Sequence, residues 1–221
     1  MVTSTLGFQL RALEDELLMM GNMVEKAIAK SLDALKRRDL TASREVIIED
    51  DFIDHKRFDI EERCINVMAT QGPVARDLRI LVTILHVSVE LERMADYAEG
   101  IGKISLMMGD EPPLKPLIDI PRMAEMATGM LRHSLDAFVN RDIVAAHQVC
   151  NDDDQVDDIY DQVYRELLSF MAEDPKTIKR ATYLLWVAHD LERIADRATN
   201  IAERVIFLVT GKLTEINVSK Y

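Results

Sequence analysis

The sequence contains few residues that break helices and few aromatic residues. Of its 221 residues, 8 are glycine, 6 are proline and 5% are aromatic, whereas 48% are hydrophobic. A low content of glycine and proline favours long helices over many short strands. Because aromatic residues are scarce, the core must be built from Leu, Ile, Val, Ala and Met.

The sequence also predicts no disulfide and no membrane-spanning segment. The two cysteines, Cys64 and Cys150, lie far apart, which predicts reduced, buried thiols in a cytoplasmic protein. No uncharged apolar run reaches the ~20 residues that cross a bilayer, and the richest segment, 80–91, contains His86 and Glu90. Acidic residues interrupt the N-terminal apolar segment, so no signal peptide and no membrane insertion are expected.

The sequence has fewer basic than acidic residues. The chain has 27 Lys and Arg against 39 Asp and Glu, a formal net charge of −12. Such a field repels phosphate backbones and anionic lipids, so nucleic acid is not an expected partner. An acidic surface suits bound cations or a basic protein partner.

The sequence repeats itself after about 100 residues. Residues 31–35 (SLDAL) recur as 134–138 (SLDAF), and residues 91–96 (LERMAD) recur as 191–196 (LERIAD). The acids between these blocks recur in the same order: Asp50, Asp51 and Asp54 correspond to Asp153, Asp154 and Asp157. Several matching blocks in one order indicate an internal duplication.

A proline-rich segment separates the two copies. It carries Pro112, Pro113, Pro116 and Pro121, which a continuous helix does not accommodate. We therefore predict a first domain over residues 6–108, a linker over 109–121 and a second domain over 122–212.

Each copy reads as three helices. Asp39 and Asp142 stand where an N-cap would begin the second helix, and Gly72-Pro73 and Asp174-Pro175 separate the second helix from the third. The helices come out at roughly 30 residues, or about 45 Å. Short loops between long helices predict antiparallel neighbours. The expected fold is all-α, with two tandem antiparallel three-helix bundles and six long helices.

Carboxylates appear on helical tracks that are otherwise apolar. In the second helix, Val46 and Ile53 lie on a seven-residue apolar track that passes through Asp50. In the third helix, a stripe formed by Leu78, Val82, Leu85 and Val89 continues as Glu92, Asp96 and Glu99. The same replacement of apolar residues by acids occurs in the second copy.

Unpaired carboxylates on such tracks cost several kcal/mol each, so we expect a cation among them. Arg93 and Arg193 directly follow the glutamates, but a neighbour at i+1 points about 100° away, which favours a bound metal ion. Carboxylates at i and i+4 on facing helices make an oxygen-rich site for hard cations. The predicted ligands are Asp50, Asp54, Glu92 and Asp96 in the first copy and Asp153, Asp157, Glu192 and Asp196 in the second.

The ordered set of acidic motifs resembles that of the PhoU family. The pairs in LERMAD and LERIAD resemble the family's two signature motifs, and the two Asp-x-x-x-Asp pairs resemble its second set. The segment that begins at Pro73 resembles the start of the family's third helix. The resemblance covers nearly the whole chain, including the duplication.

This resemblance implies a cytoplasmic regulator without enzymatic activity. It implies an adaptor between a phosphate ABC transporter, through its ATPase subunit, and a membrane sensor histidine kinase. It further implies homodimers and metal clusters on the acidic motifs, with Fe, Zn, Mg or Mn as candidates. The copies depart from each other at Gly100 and Asn200 and at Tyr97 and Arg197. We therefore expect their metal sites to differ, with the arginine partly replacing a metal ion.

Two other interpretations remain open. A carboxylate-bridged di-metal enzyme of the ferritin-like kind needs Glu-x-x-His pairs, which this sequence lacks. A purely structural helical interaction module would carry its acids as an ordinary solvated face and bind no stoichiometric metal.

Overall fold

The computed structural model describes residues 5–213, and within that range nearly every residue is helical and no strand occurs. The helices are α1 (Thr5–Arg37), α2 (Leu40–Gln71), α3 (Ala75–Met108), α4 (Asp119–Asn140), α5 (Ile143–Glu173) and α6 (Ile178–Thr210). A short 3-10 turn, Pro175–Thr177, precedes α6. The prediction of an all-α fold with six long helices is confirmed.

The helices form two bundles that lie against each other. Helices α1, α2 and α3 pack mutually, as do α4, α5 and α6. Short connections make consecutive helices antiparallel within each bundle. The bundles meet along α3 and α6, with a further contact between α1 and α4. The predicted tandem pair of three-helix bundles is therefore present, and the acidic segments of α2, α3, α5 and α6 lie on helices that pack in pairs.

Equivalent aspartates begin the second helix of each bundle. The Asp39 carboxylate accepts hydrogen bonds from the backbone N–H groups of Thr41 and Ala42, at 3.0 and 2.9 Å. Asp142 accepts from Val144 and Ala145 at 2.9 and 3.0 Å. Each side chain satisfies amides that have no partner inside the helix, which confirms the predicted N-caps.

Helix α4 has 22 residues, fewer than the roughly 30 expected of the helices in general. The proline-rich connection lies outside helix up to Ile118, because proline lacks the N–H group that continues a helix. Pro121, which we placed in the linker, lies in the first turn of α4, where its missing N–H is not needed.

The core consists of the aliphatic tracks seen in the sequence. Val46, Ile53, Ile60 and Val67 of α2 are all buried. Their counterparts in α5 are buried too, except for Phe170, which is half-buried. Both cysteines are buried and free, and burial raises the pKa of each thiol to about 12. Among the described helices, none is both long and apolar enough to cross a membrane.

Candidate metal centre

Three carboxylates from two helices converge in the first bundle. Asp50 of α2 and Asp96 and Glu99 of α3 each offer an oxygen, and these oxygens lie within 4.8 Å of one another. All three residues are partly buried. Convergent carboxylate oxygens are the ligands of hard cations such as Mg²⁺, Ca²⁺ and Mn²⁺, and they also suit iron.

The electrostatics of this group show an excess of negative charge. Burial, and after it the nearby carboxylates of Glu99, Asp54 and Asp96, raise the pKa of Asp50 to about 7. Burial also raises the pKa of Glu92 and Asp96 above their ordinary values. Crowded carboxylates that resist ionisation mark a place where a cation would be stabilised.

Basic side chains surround the group without removing this excess. Lys103 Nζ lies 2.6 Å from Glu99 Oε2, and Arg57 Nε lies 3.5 Å from Glu92 Oε1. The pKa of Asp50 nevertheless stays raised. Arg57 Nε is buried and has no hydrogen-bond partner, so its contact with Glu92 is an ion pair only.

The inference that arginines of the motif point away from the site is wrong. Arg93 Nη1 lies 3.6 Å from Asp96 Oδ2, and Arg193 donates a hydrogen bond to Asp196. Residues at i and i+3 are neighbours on a helix surface, so each arginine reaches the aspartate one turn later, and Arg93 Nε also lies 3.7 Å from Glu92 Oε2.

The three-carboxylate group only partly coincides with the predicted set. Asp50 and Asp96 belong to it, whereas Glu92 faces Arg57 and Asp54 lies beside the group, close enough to raise the pKa of Asp50. Glu99 was not in the predicted set. The sequence pattern already indicated this residue, because Glu99 continues the stripe of Glu92 and Asp96 on α3.

The second bundle arranges its acids differently. Asp153 is buried, with 3% of its surface exposed, and the side chains of Glu192 and Asp196 are largely covered. Asp157 follows Asp153 by one turn of α5. Within residues 5–213, these acids do not form a convergent three-ligand group like that of the first bundle.

Local cations contact the acids of the second bundle. Besides its bond to Asp196, Arg193 lies within hydrogen-bonding reach of the Tyr97 side chain on α3. His189 Nδ1 lies 3.5 Å from Glu192 Oε2, and this carboxylate raises the pKa of His189. Glu192 Oε2 is buried, and a metal ion at this oxygen would have to displace or share it with His189.

Two substitutions between the copies account for the difference. Thr199 stands where the first copy has Glu99, and Glu203 stands where it has Lys103. The acid has therefore moved one turn along the helix. Asp153 and Glu203 both lie near Cys150, whose pKa they raise in addition to burial.

The contact between α3 and α6 explains why the two copies differ after their acidic motifs. Glu90 of α3 accepts hydrogen bonds from Arg197 and Asn200 of α6, at 3.3 and 3.1 Å. At the corresponding place, Asp190 faces Gly100, which has no side chain to donate, and burial raises the pKa of Asp190 to about 7. Arg197 thus binds across the bundle contact, and it offsets only part of the rise that burial and Glu192 cause in the pKa of Asp196.

Comparison with known proteins gives a consistent result. Residues 17–105 and 120–205 each match the family model described as the PhoU domain. A "phosphate-specific transport system accessory protein PhoU homolog" of Clostridium acetobutylicum is 38% identical over 94% of this chain and 95% of its own length. The homolog of the same name from Aquifex aeolicus is 40% identical over 94% of each chain.

Solved structures agree with the sequence comparisons. The crystal structure of PhoU from Pseudomonas aeruginosa has a TM-score of 0.88 and 33% identity, covering 92% of this chain and 98% of that one. The regulatory protein PhoU of the phosphate transport system from Streptococcus pneumoniae has a TM-score of 0.90 and 29% identity, covering 96% and 100%. With its duplicated domain, its six helices and its paired acidic motifs, the chain belongs to the PhoU family.

Proposed function

We propose that this protein is a cytoplasmic, metal-binding regulator of phosphate uptake that has no catalytic activity of its own. Relatives that match nearly its full length are named as accessory proteins of a phosphate-specific transport system. The observation that carries the metal-binding part is the convergence of Asp50, Asp96 and Glu99. Together these two observations support a cation-binding role on the scaffold of a transport regulator.

In this proposal the bound cation has a structural and electrostatic role. Asp50 belongs to α2, and Asp96 and Glu99 belong to α3, so a shared ion would join the two helices and offset their crowded charge. Asp54 and Glu92 would complete or support the coordination from the edge of the group. An all-oxygen set favours Mg, Mn or Fe over Zn.

The second set, Asp153, Asp157, Glu192 and Asp196, would bind a cation less strongly. Arg193 already supplies a positive charge to Asp196, and a metal ion would have to compete with it. His189 likewise lies 3.5 Å from Glu192 Oε2, so a metal ion would have to compete with it for this oxygen.

The partners we propose are the ATPase subunit of a phosphate ABC transporter and a membrane sensor histidine kinase. The net charge of −12 and the acidic faces of α2–α3 and α5–α6 favour basic partner surfaces. Cations bound at these faces would set how much negative charge a partner meets. We also propose that the protein acts as a homodimer.

Elemental analysis tests the metal site directly. Protein purified without chelator should contain stoichiometric metal, and Asp50→Asn together with Glu99→Gln should remove the ion from the first bundle while keeping side-chain size. Asp51→Asn is the matched control, because Asp51 is exposed on the same helix and outside the group. Unchanged metal content in the double variant would show that the first site is misassigned.

The ferritin-like alternative is tested in the same preparations. In the described part of the chain, the one convergent group of three potential ligands contains no histidine, whereas ferritin-like sites use Glu-x-x-His pairs. We expect no ferroxidase turnover above that of the double variant. Metal-dependent turnover that Asp50→Asn abolishes would favour the enzyme instead.

A further inference from the structure

The outer face of α1 and α2 carries apolar side chains that the bundle does not bury. Met19 of α1 is 48% exposed, and Ile48 and Phe52 of α2 are 64% and 63% exposed. These three residues and the partly buried Met23 form a surface that we call the α1–α2 patch. Large apolar groups clustered on a surface mark interaction sites more often than single exposed residues do.

The duplication supplies an internal control for this patch. The offset that aligns residues 31–35 with 134–138 places Arg122, Asn151 and Gln155 at the positions of Met19, Ile48 and Phe52. All three polar residues are exposed. The exposed apolar side chains are therefore not required to build a three-helix bundle of this kind.

The buried positions beside the patch behave in the opposite way. Val46 and Ile53 of α2 correspond to Val149 and Val156 of α5, and all four are buried. The two copies thus agree in the core and differ on this face. The difference points to a role of the first copy that lies outside its own folding.

The exposed phenyl ring of Phe52 forms part of the wall of a groove between α1 and α2. It has a volume of about 200 Å³, and its apolar lining includes Met23, Ala27, Val46 and Ile53. Within the described residues, α2 packs on α1 and α3 and on no other helix. The groove and the Phe52 side chain therefore both lie on an uncovered face.

A projection beside a cavity is self-complementary under twofold symmetry. If a second copy is rotated by 180°, Phe52 of each chain faces the groove of the other, which is the isologous arrangement of symmetric dimers. An aromatic side chain that enters a preformed apolar groove is also the kind of residue that dominates interface energies.

Charge also favours a second copy at this face. Two chains that each carry −12 repel one another over most of their surfaces. Around the groove, however, Lys30 pairs with Glu45 and Glu49 at 2.9 and 2.8 Å, Lys56 pairs with Glu16, and Lys26 adds a third positive charge to the lining. The face is locally close to neutral, so two copies meet there without a large electrostatic penalty.

We propose that the α1–α2 patch is the dimer interface, in which Phe52 of each chain fills the groove between α1 and α2 of its partner. The inference rests on the homodimer proposed above and gives it a surface. It also leaves the acidic faces formed with α3 and α6 free for cations and regulatory partners.

Sedimentation velocity of the full chain tests the interface. The wild type should be a dimer at micromolar concentration, and Phe52→Gln with Ile48→Asn, which install the residues of the second copy, should weaken dimerisation at least about tenfold. Val144→Ser is the matched control, because Val144 is 80% exposed on the second bundle and should leave the dimer intact.

The possible outcomes separate the proposals from one another. A wild type that is monomeric at these concentrations would end both the dimer and this interface. A double variant that dimerises as tightly as the wild type would place the interface elsewhere. Far-UV circular dichroism and metal content, recorded on the same samples, should be unchanged in the double variant. A loss of helicity would assign the patch to folding and overturn the inference.

Discussion

Asp50 is the residue at which proton binding and metal binding compete. In the folded protein its pKa is raised to about 7 from an ordinary value of 3.8, first by burial and then by Glu99, Asp54 and Asp96. A carboxylate must lose its proton to ligate a metal ion. Metal affinity of the first bundle should therefore fall as the pH drops below about 7.

The same shift makes the metal-free protein less stable at higher pH. Because the folded pKa is raised, the folded state holds a proton that the unfolded state has lost, so stability is greatest below about pH 4 and declines up to about pH 7. The group is partly solvated, so we expect a loss of only about 1–2 kcal/mol after screening.

Asp50→Asn should remove this decline. In chelator, urea denaturation at pH 5 and pH 8 should show a smaller pH difference for the variant than for the wild type, and a higher stability of the variant at pH 8. Asp51→Asn, on the exposed side of α2, should keep the wild-type pH difference. A variant with the full decline would assign it to other groups, such as Asp190, whose pKa is also about 7.

At the level of helices, the N-caps of α2 and α5 perform the same task in both bundles. Each aspartate accepts two backbone hydrogen bonds at the start of its helix. These helices carry the Asp50 and Asp153 carboxylates, so the caps also fix where each acidic segment begins relative to its partner helix.

Removing either cap should destabilise the fold by a similar amount. Asp39→Ala and Asp142→Ala each leave two helix N–H groups without their side-chain acceptor, and we expect a loss of about 1 kcal/mol. Urea denaturation measures the change. Asp51→Ala in the body of α2 should stay within about 0.5 kcal/mol of the wild type, and an equal loss there would mean that charge rather than capping is being measured.

At the level of the whole molecule, the relation between the bundles depends on close contacts. A Cβ atom added at Gly21 of α1 would lie 2.3 Å from Leu135 Cδ1 of α4. Leu135 is buried, so its side chain has little room to move. Gly21 is therefore required by the packing of the bundles and not by a turn.

A pair of glycine substitutions separates packing from helix propensity. Gly129→Ala in α4 meets no atom within 4 Å and should stabilise the protein by about 0.5–1 kcal/mol, as alanine does in a helix. Gly21→Ala should have the same favourable helix propensity, but overpacking against Leu135 should cost about 1–3 kcal/mol. The variant should therefore be less stable than the wild type. Urea denaturation of both variants gives the comparison, and a stabilising Gly21→Ala would show that the bundle contact relaxes freely.

Local and periodic features of this protein could be predicted from the sequence. The duplication, the apolar tracks, the N-caps and the PhoU resemblance all depend on spacing along one chain or on residues next to each other. Helix formation and burial follow the same spacing, so the fold and the general position of the acids were accessible. The start of α4 at Asp119 lies inside the predicted linker, residues 109–121, because local patterns do not locate the end of a linker closely.

The tertiary structure alone decided which side chains meet. Glu99 joins Asp50 and Asp96, Glu92 turns to Arg57, and Arg193 binds Asp196. These choices depend on how α2 is rotated against α3, and α5 against α6, at the scale of a few ångströms. Helical periodicity defines the face on which a residue lies, whereas the packing of two helices determines which residues of that face come within bonding distance.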